Sequence, residues 1–79
     1  MPLYEAAFPV GSSVRIVADS ALRQFRETWR FHHNLRDEQM PFAGRVLEVA
    51  AVGFYHGGDP LYELKGAPGL WHEACLEAA

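Results

Sequence analysis

Apolar and polar residues alternate near the start of the chain in the pattern of a half-buried strand. Val14 and Ile16 are separated by Arg15 and preceded by Ser13, so the two aliphatic side chains fall on one face. Residues 8–13, just before, are rich in the Pro, Gly and Ser that favour turns. The pattern predicts a short first strand that follows a turn.

The second half of the chain has the pattern of a β-meander. Residues 45–55 are dominated by Val, Leu, Ala and aromatics, and Gly53 is a candidate β-bulge. Tyr62 and Leu64 are two residues apart, which places both on one face of a return strand. The predicted order is strand 45–55, turn 56–60, strand 61–65, turn 66–69, strand 70–73 and a closing helical turn at 74–77.

Between these two regions the large apolar residues take the spacing of a helix. Leu22, Phe25 and Trp29 recur at i, i+3 and i+7 and form one stripe, with Asp19 or Ser20 in position to cap the N-terminus. A helix this short is not stable in water unless it docks on another surface. A second face carries an arginine stripe of the same spacing: Arg23, Arg26 and Arg30.

The segment after the helix, residues 32–41, is polar and predicts a long loop. It begins with His32 and His33 and ends at Pro41, which we expect to stop any helix. Long loops in small domains commonly carry binding residues, so this segment is a candidate for function.

These elements fit one small domain, because 79 residues cannot divide into two units that each bury a core. We expect a mainly β fold: a small SH3-like barrel of about five short antiparallel strands, with one short helix between the first and second strands. An open sheet packed on the helix is the alternative, but a barrel hides its strand edges better. Residues 1–7 are expected to form an N-terminal arm.

Composition and charge exclude several classes of protein. Disorder does not fit a chain with 49% hydrophobic residues, and a disulfide scaffold does not fit a single cysteine, Cys75. No apolar run is long enough to span a membrane, so no membrane partner is predicted. A formal net charge of −3 argues against nucleic acid. The first residues have neither the basic region nor the apolar stretch of a secretory signal, so we expect a bacterial-type cytoplasmic protein.

The sequence has few residues suited to metal binding or catalysis, and their spacing does not match that of known metal or catalytic sites. Four histidines and one cysteine are too scattered for the closed ligand spacing of zinc, so no metal and no cofactor are predicted. Acidic neighbours disfavour a thiolate at Cys75, which we expect to be buried as a small apolar side chain. His72 is expected to be partly exposed. Glu73, with His72 or Asp59, is the acid–base candidate, but a carboxylate at a strand end is more often simply solvated, and no catalytic residue is assigned.

Three motifs, in order, resemble the small SH3-like barrels of the electron-transport accessory group. Residues 8–16 are similar to the opening of these barrels, an aromatic residue and a glycine before Val-Arg-Val, and residues 31–46 resemble their histidine-bearing loop that ends in Gly-x-Val. Residues 60–73 are similar to the closing strands of the nitrile hydratase β chain. Its C-terminal domain belongs to the group, as does the variable chain of ferredoxin–thioredoxin reductase, which tends to have proline where this sequence has Asn34. The resemblance implies an accessory barrel that packs on a catalytic subunit.

A second resemblance, to the plasmid-encoded type II dihydrofolate reductase, supplies the alternative. That enzyme is a barrel of similar length that works as a homotetramer around one pore, and its Gly-x-Val and aromatic strand are similar to residues 44–46 and 54–55. Its pore motif would fall at Trp71, His72 and Glu73, where its glutamine and tyrosine are missing. The alternative is therefore a small homo-oligomeric enzyme with a shared central pore, whose activity we do not carry over.

Aromatic residues make up 13% of the chain, which is more than a small core hides easily, and aromatics are enriched at interfaces. We therefore expect a non-catalytic interaction or accessory module that binds a larger protein subunit or associates with itself as a homo-oligomer. The expected contact residues lie on the helix and in the meander: Arg26, Trp29, Arg30, Phe54, Tyr55, Trp71 and His72.

Overall fold

A computed structural model describes residues 6–56 and 58–79 of the chain, which form a five-stranded antiparallel sheet and one α-helix. The prediction of a mainly β fold with the helix between the first two strands is confirmed. The strands are β1 (Ser13–Ile16), β2 (Val46–Tyr55), β3 (Asp59–Leu64), β4 (Trp71–His72) and β5 (Leu76–Ala78). The helices are α1 (Asp19–Thr28) and two 3-10 helices, Asp37–Phe42 and Glu73–Cys75.

The long strand β2 joins the two halves of the sheet, whose order is β4-β3-β2-β1-β5. Its first half pairs with β1, and its second half pairs with β3, where Val52 lies opposite Tyr62. The register shifts between Val49 and Ala51, so the predicted bulge at Gly53 is wrong. An extra residue bends a strand where it inserts, and here it does so between the segments that pair with β1 and with β3.

The core lies on the inner face of this bent sheet. Val14 and Ile16 of β1 are fully buried, which confirms the predicted alternation there. In β3, Tyr62 and Leu64 are both buried as predicted, and Leu61, next to Tyr62, is buried as well. The buried residues that form the continuous cluster are Val14, Ile16, Leu22, Leu35, Val49, Tyr62, Leu64, Trp71, Cys75 and Leu76.

Helix α1 docks on this core through Leu22, which is buried, and Phe25, which is partly buried. The predicted cap is wrong, because the helix begins at Asp19 with Ala18 as its N-cap and no side-chain cap bond. The Asp19 carboxylate instead accepts a 2.6 Å hydrogen bond from Arg23, one turn along.

Pro41 lies inside the first 3-10 helix, so the expectation that it stops any helix is also wrong. Proline lacks only its own N–H. At the two ends of this segment Gln39 donates its backbone N–H to Arg36 O and Ala43 donates to Met40 O, and neither of these bonds needs a donor at Pro41.

The end of the chain differs from the predicted helical turn at 74–77. The 3-10 helix is earlier, at Glu73–Cys75, and Leu76 opens β5 opposite Ile16. Most of the predicted arm, residues 1–5, lies outside the described residues. Of its other two residues, Ala7 donates its backbone N–H to Glu73 at 3.2 Å. None of the helices in the described part of the chain has the length and apolar character needed to cross a membrane.

Candidate functional site

Rings from the β1–β2 connection, the end of β2 and β4 meet in one group, which we call the histidine–aromatic cluster. It contains all four histidines of the sequence. Its members are Phe25, Trp29, Phe31, His32, His33, Tyr55, His56 and His72.

His32 lies at the centre of the cluster and is held by the β2–β3 hairpin. Its ring stacks on Tyr55, with centroids 3.8 Å apart, and its Nε2 lies 2.8 Å from the Asp59 carboxylate. Tyr55 and Asp59 are paired across the hairpin, so one strand pair positions both contacts. Only 13% of the His32 side chain is exposed.

The backbone carbonyls of His32 and His33 accept hydrogen bonds from the rings of Trp29 and His72. The Trp29 indole N–H donates to the His32 carbonyl at 2.6 Å, and His72 Nε2 lies 2.9 Å from the His33 carbonyl. These bonds hold His33 in the left-handed region, at φ 50°. That conformation is uncommon for a residue with a side chain. In it, His33 Nδ1 lies 3.0 Å from His32 Nδ1.

Asn34 ties the same segment to the end of α1. Its side-chain amide donates to the carbonyls of Arg26 at 3.0 Å and Trp29 at 3.1 Å, and its oxygen accepts from the Leu35 N–H. The last carbonyls of a helix have no partner within the helix, and Asn34 satisfies two carbonyls at this end of α1. The helix and the histidine segment are therefore one connected unit.

His72 is buried, with 4% of its surface exposed, so the expectation of a partly exposed side chain is wrong. Burial lowers the pKa of His72, and the hydrogen bond to the His33 carbonyl opposes part of that shift. The neutral ring therefore places its proton on Nε2, where the His33 carbonyl accepts it. The rings of Phe25 and Trp29 cover it, with centroids 5.1 and 4.7 Å away.

The two residues next to His72 in the sequence, Trp71 and Glu73, also make contacts within this chain. Trp71 is fully buried, and its indole N–H has no hydrogen-bond partner among the described residues. Glu73 accepts a 2.6 Å hydrogen bond from the Tyr62 hydroxyl. Burial, with this bond, raises the pKa of Tyr62 to about 12. These side chains serve packing within one chain.

The other predicted contact residues are spread between the cluster and its edges. Trp29 and Tyr55 lie within the cluster, whereas Arg26 at the end of α1 is paired with Asp37 at 2.6 Å. Arg30 is exposed just after the helix, and Phe54 lines a shallow cleft of about 230 Å³ with Tyr55. The structure therefore brings Trp29, Tyr55 and His72 together, and Trp71 and His72 are buried in this chain.

Five residues of the cluster were not predicted as contact residues: Phe25, Phe31, His32, His33 and His56. Phe31 is 73% exposed, and His32 and His33 follow it directly. The available signal was an adjacent pair of histidines behind an aromatic residue, at the start of a loop already predicted to be a binding loop. Spacing alone did not show that the Tyr55–Asp59 hairpin holds the pair.

Cys75 is fully buried, as expected for a small apolar side chain. Burial raises the pKa of its thiol to about 12, so the thiolate form is rare near neutral pH. A nucleophilic role for Cys75 therefore has no support.

Within residues 6–56 and 58–79, no group of three or more His, Cys, Asp and Glu side chains is placed to hold a metal ion. Comparison of the chain with protein-family models, with curated proteins and with solved structures finds no match. The geometry of the cluster is therefore the basis for assigning a function.

Proposed function

We propose that this chain is an SH3-like barrel that serves as a non-catalytic interaction or accessory module. The strand order supports the barrel, because β1 pairs with both β2 and β5, and a short 3-10 helix joins β4 to β5. A sheet bent in this way brings its two ends toward each other around one core. We place the module in the cytoplasm, where a free thiol such as Cys75 stays reduced.

The observation that carries the proposed role is the exposure of Phe31. Its ring stands edge-on to Trp29, with centroids 5.1 Å apart, while 73% of its surface faces solvent. The residue that follows it, His32, is fixed by Tyr55 and Asp59. An exposed aromatic ring beside an ordered segment loses little conformational freedom on binding, which favours its use as a contact residue.

An exposed positive charge lies next to Phe31 in the sequence. Arg30 is exposed between Trp29 and Phe31, and an arginine next to aromatic rings is a common composition for a protein interface. The partner is a protein: a larger subunit or a second copy of this chain.

The alternative, an enzyme with a shared pore, has less support. It requires Trp71, His72 and Glu73 to face a pore between chains. Trp71 and His72 are instead buried, and Glu73 is bonded to Tyr62. We therefore assign no catalytic residue.

A photo-crosslinking experiment tests the role of Phe31. The photoreactive amino acid p-benzoylphenylalanine replaces Phe31 in one variant and Val10 in a control, since Val10 is 63% exposed on the turn before β1, outside the cluster. After irradiation in the source cells, we expect a discrete adduct with one protein from position 31 and none from position 10. Equal adducts from both positions, or none from position 31, contradict the proposal.

A further inference from the structure

We propose that His32 and His33 form half of a Zn²⁺ site, which the same two residues of a second copy of this chain complete. This inference rests on the proposed function, because it names a second copy of this chain as the partner and Phe31 as part of the contact. It also departs from the sequence analysis, which predicts no metal.

The first argument is the separation of the two ring nitrogens. His32 Nδ1 and His33 Nδ1 are 3.0 Å apart. Zinc binds imidazole nitrogens at about 2.0–2.1 Å in tetrahedral geometry, which puts two nitrogens that share one ion about 3.3 Å apart, within a few tenths of an ångström of the separation seen here. Without an ion, one of the two nitrogens must donate a proton to the other. With an ion, both present lone pairs to it.

The second argument is the partner of His32 on its other nitrogen. His32 Nε2 lies 2.8 Å from the Asp59 carboxylate, which accepts the N–H and leaves Nδ1 as the nitrogen with a lone pair. A histidine that binds a metal characteristically donates its second ring N–H to a carboxylate in this way. Asp59 therefore orients His32 for metal binding and offsets part of the charge of the ion.

The third argument is that the pair is held in place at an energetic cost. His33 has a left-handed backbone, at φ 50°, and its carbonyl and that of His32 accept hydrogen bonds from His72 and Trp29. Backbone strain that the surrounding structure maintains is concentrated at functional sites and ligand clamps. Here its consequence is that two imidazole nitrogens lie side by side.

The fourth argument concerns the missing ligands. Zinc in a protein site takes four ligands, and the described residues offer no third histidine, cysteine or carboxylate in position. His33 is exposed and is the member of the pair that a second chain reaches, whereas only 13% of the His32 side chain is exposed. A second copy supplies two more imidazoles, and the neighbouring Phe31, 73% exposed, supplies apolar surface for the two copies to bury.

The test uses the full chain after removal of metals with a chelator. Zn²⁺ is titrated at pH 7.5 by calorimetry, and the molar mass is followed by size exclusion with light scattering. We expect one Zn²⁺ bound per two chains, together with a doubling of the mass from that of one 8.9 kDa chain. Absence of a zinc-dependent change in mass overturns the proposal.

Two matched variants separate the pair from other histidines. His33 and His56 both have left-handed backbones, at φ 50° and 46°, and both are exposed. Asparagine tolerates that conformation, so His33→Asn and His56→Asn both keep the fold. We expect His33→Asn to abolish zinc-dependent dimer formation and His56→Asn to leave it unchanged. Equal effects of the two variants contradict the assignment.

The crosslinking experiment, repeated with chelator present, distinguishes this inference from the proposed function. An adduct at position 31 in chelator, with no zinc-dependent dimer, supports the interaction module and rejects the zinc site. A zinc-dependent dimer that His33→Asn abolishes, with no adduct at position 31, supports the zinc site and rejects the wider role of Phe31.

Discussion

Burial determines the chemistry of the side chains that are most reactive by type. Cys75, Tyr62 and His72 are all buried, and in each of them burial favours the neutral form. The consequence is opposite for acids and bases, because the pKa of the thiol and the phenol is raised while that of the imidazole is lowered. All three residues therefore act as neutral groups near pH 7.

The Cys75 thiol should be unreactive while the chain is folded. Its pKa is raised from 9.0 to about 12 by burial, so the folded chain carries roughly a thousandfold less thiolate at pH 8 than the unfolded chain. We expect an aromatic disulfide reagent to modify Cys75 rapidly in concentrated urea and far more slowly in buffer. In a Cys75→Ser background, Ala78→Cys is the exposed control and should react in both conditions. Equal rates for Cys75 folded and unfolded contradict this prediction.

The same shift makes stability depend on alkaline pH. Between pH 9 and about 12 the unfolded chain has released the thiol proton while the folded chain retains it, so the free energy of unfolding should fall as pH rises. One group gives a slope of at most about 1.4 kcal/mol per pH unit. Urea titrations from pH 8 to 11 measure it, and Cys75→Ala should reduce the slope. Tyr62, with its pKa at about 12, supplies the remaining dependence above pH 10. A slope that Cys75→Ala leaves unchanged contradicts the assignment.

At the scale of elements, the sequence predicts the positions of strands better than it predicts where helices begin and end. The alternation of Val14 and Ile16 is correct, because a pleated strand presents every second side chain to the core. The predicted cap of α1 is wrong because Asp19 is the first residue of the helix and its carboxylate pairs with Arg23, one turn along, rather than with a backbone N–H. The expected effect of Pro41 is wrong because proline lacks only its own N–H, and the Ala43 N–H still donates to Met40 O across it. In both cases a rule based on residue type and spacing failed because the outcome depends on hydrogen bonds that the spacing does not specify.

Gln39 is the contact that attaches the first 3-10 helix to the rest of the fold. Only 2% of it is exposed. Its amide nitrogen donates to the carbonyls of Pro68 and Leu70, and its oxygen accepts from the Arg36 N–H. The turn before β4 is therefore held from one side by a single buried side chain.

A pair of glycine variants tests this attachment. Gly69 and Gly66 both have left-handed backbones, at φ 75° and 89°, so Ala at either position is strained by roughly 1 kcal/mol. A Cβ on Gly69 would lie 2.9 Å from Gln39 Nε2, whereas on Gly66 the nearest atom is 3.9 Å away. We expect Gly69→Ala to lower the free energy of unfolding by a further ~1–3 kcal/mol, because displaced Gln39 leaves buried backbone groups unsatisfied. Equal losses in urea titrations would show that Gln39 moves without consequence.

At the scale of the whole molecule, strand β1 from the first half of the sequence pairs with β2 and β5 from the second half. The cluster could be predicted only in part, because its centre depends on a long-range contact: His32 stacks on Tyr55, 23 positions later in a separate strand. The sequence shows that aromatic and histidine residues are abundant, whereas the antiparallel pairing decides which of them meet. The core was easier to predict, since apolar side chains need only face inward.

The position of β1 also predicts that the domain unfolds as one unit. β1 pairs with both β2 and β5, and Ile16 lies opposite Leu76 while Val14 lies opposite Ala78. Leu76 is 6% exposed and Ala78 is exposed, so of these two positions on β5 only Leu76 is covered by the core. Leu76→Asp buries an unpaired charge, which costs several kcal/mol and exceeds the margin of so small a domain. Ala78→Asp should change stability by less than about 1 kcal/mol.

Tryptophan fluorescence distinguishes global from local unfolding in these variants. Trp71 lies in the core and Trp29 in the histidine–aromatic cluster, so single-tryptophan versions with Trp29→Phe or Trp71→Phe report on the two regions separately. We expect Leu76→Asp to move the emission of both residues to that of the unfolded chain. Because Leu76 belongs to the same buried cluster as Leu22 of α1 and Trp71 of β4, loss of β5 disrupts the core on which α1 packs. Retention of native Trp29 emission in Leu76→Asp would instead mean that the cluster folds without the core.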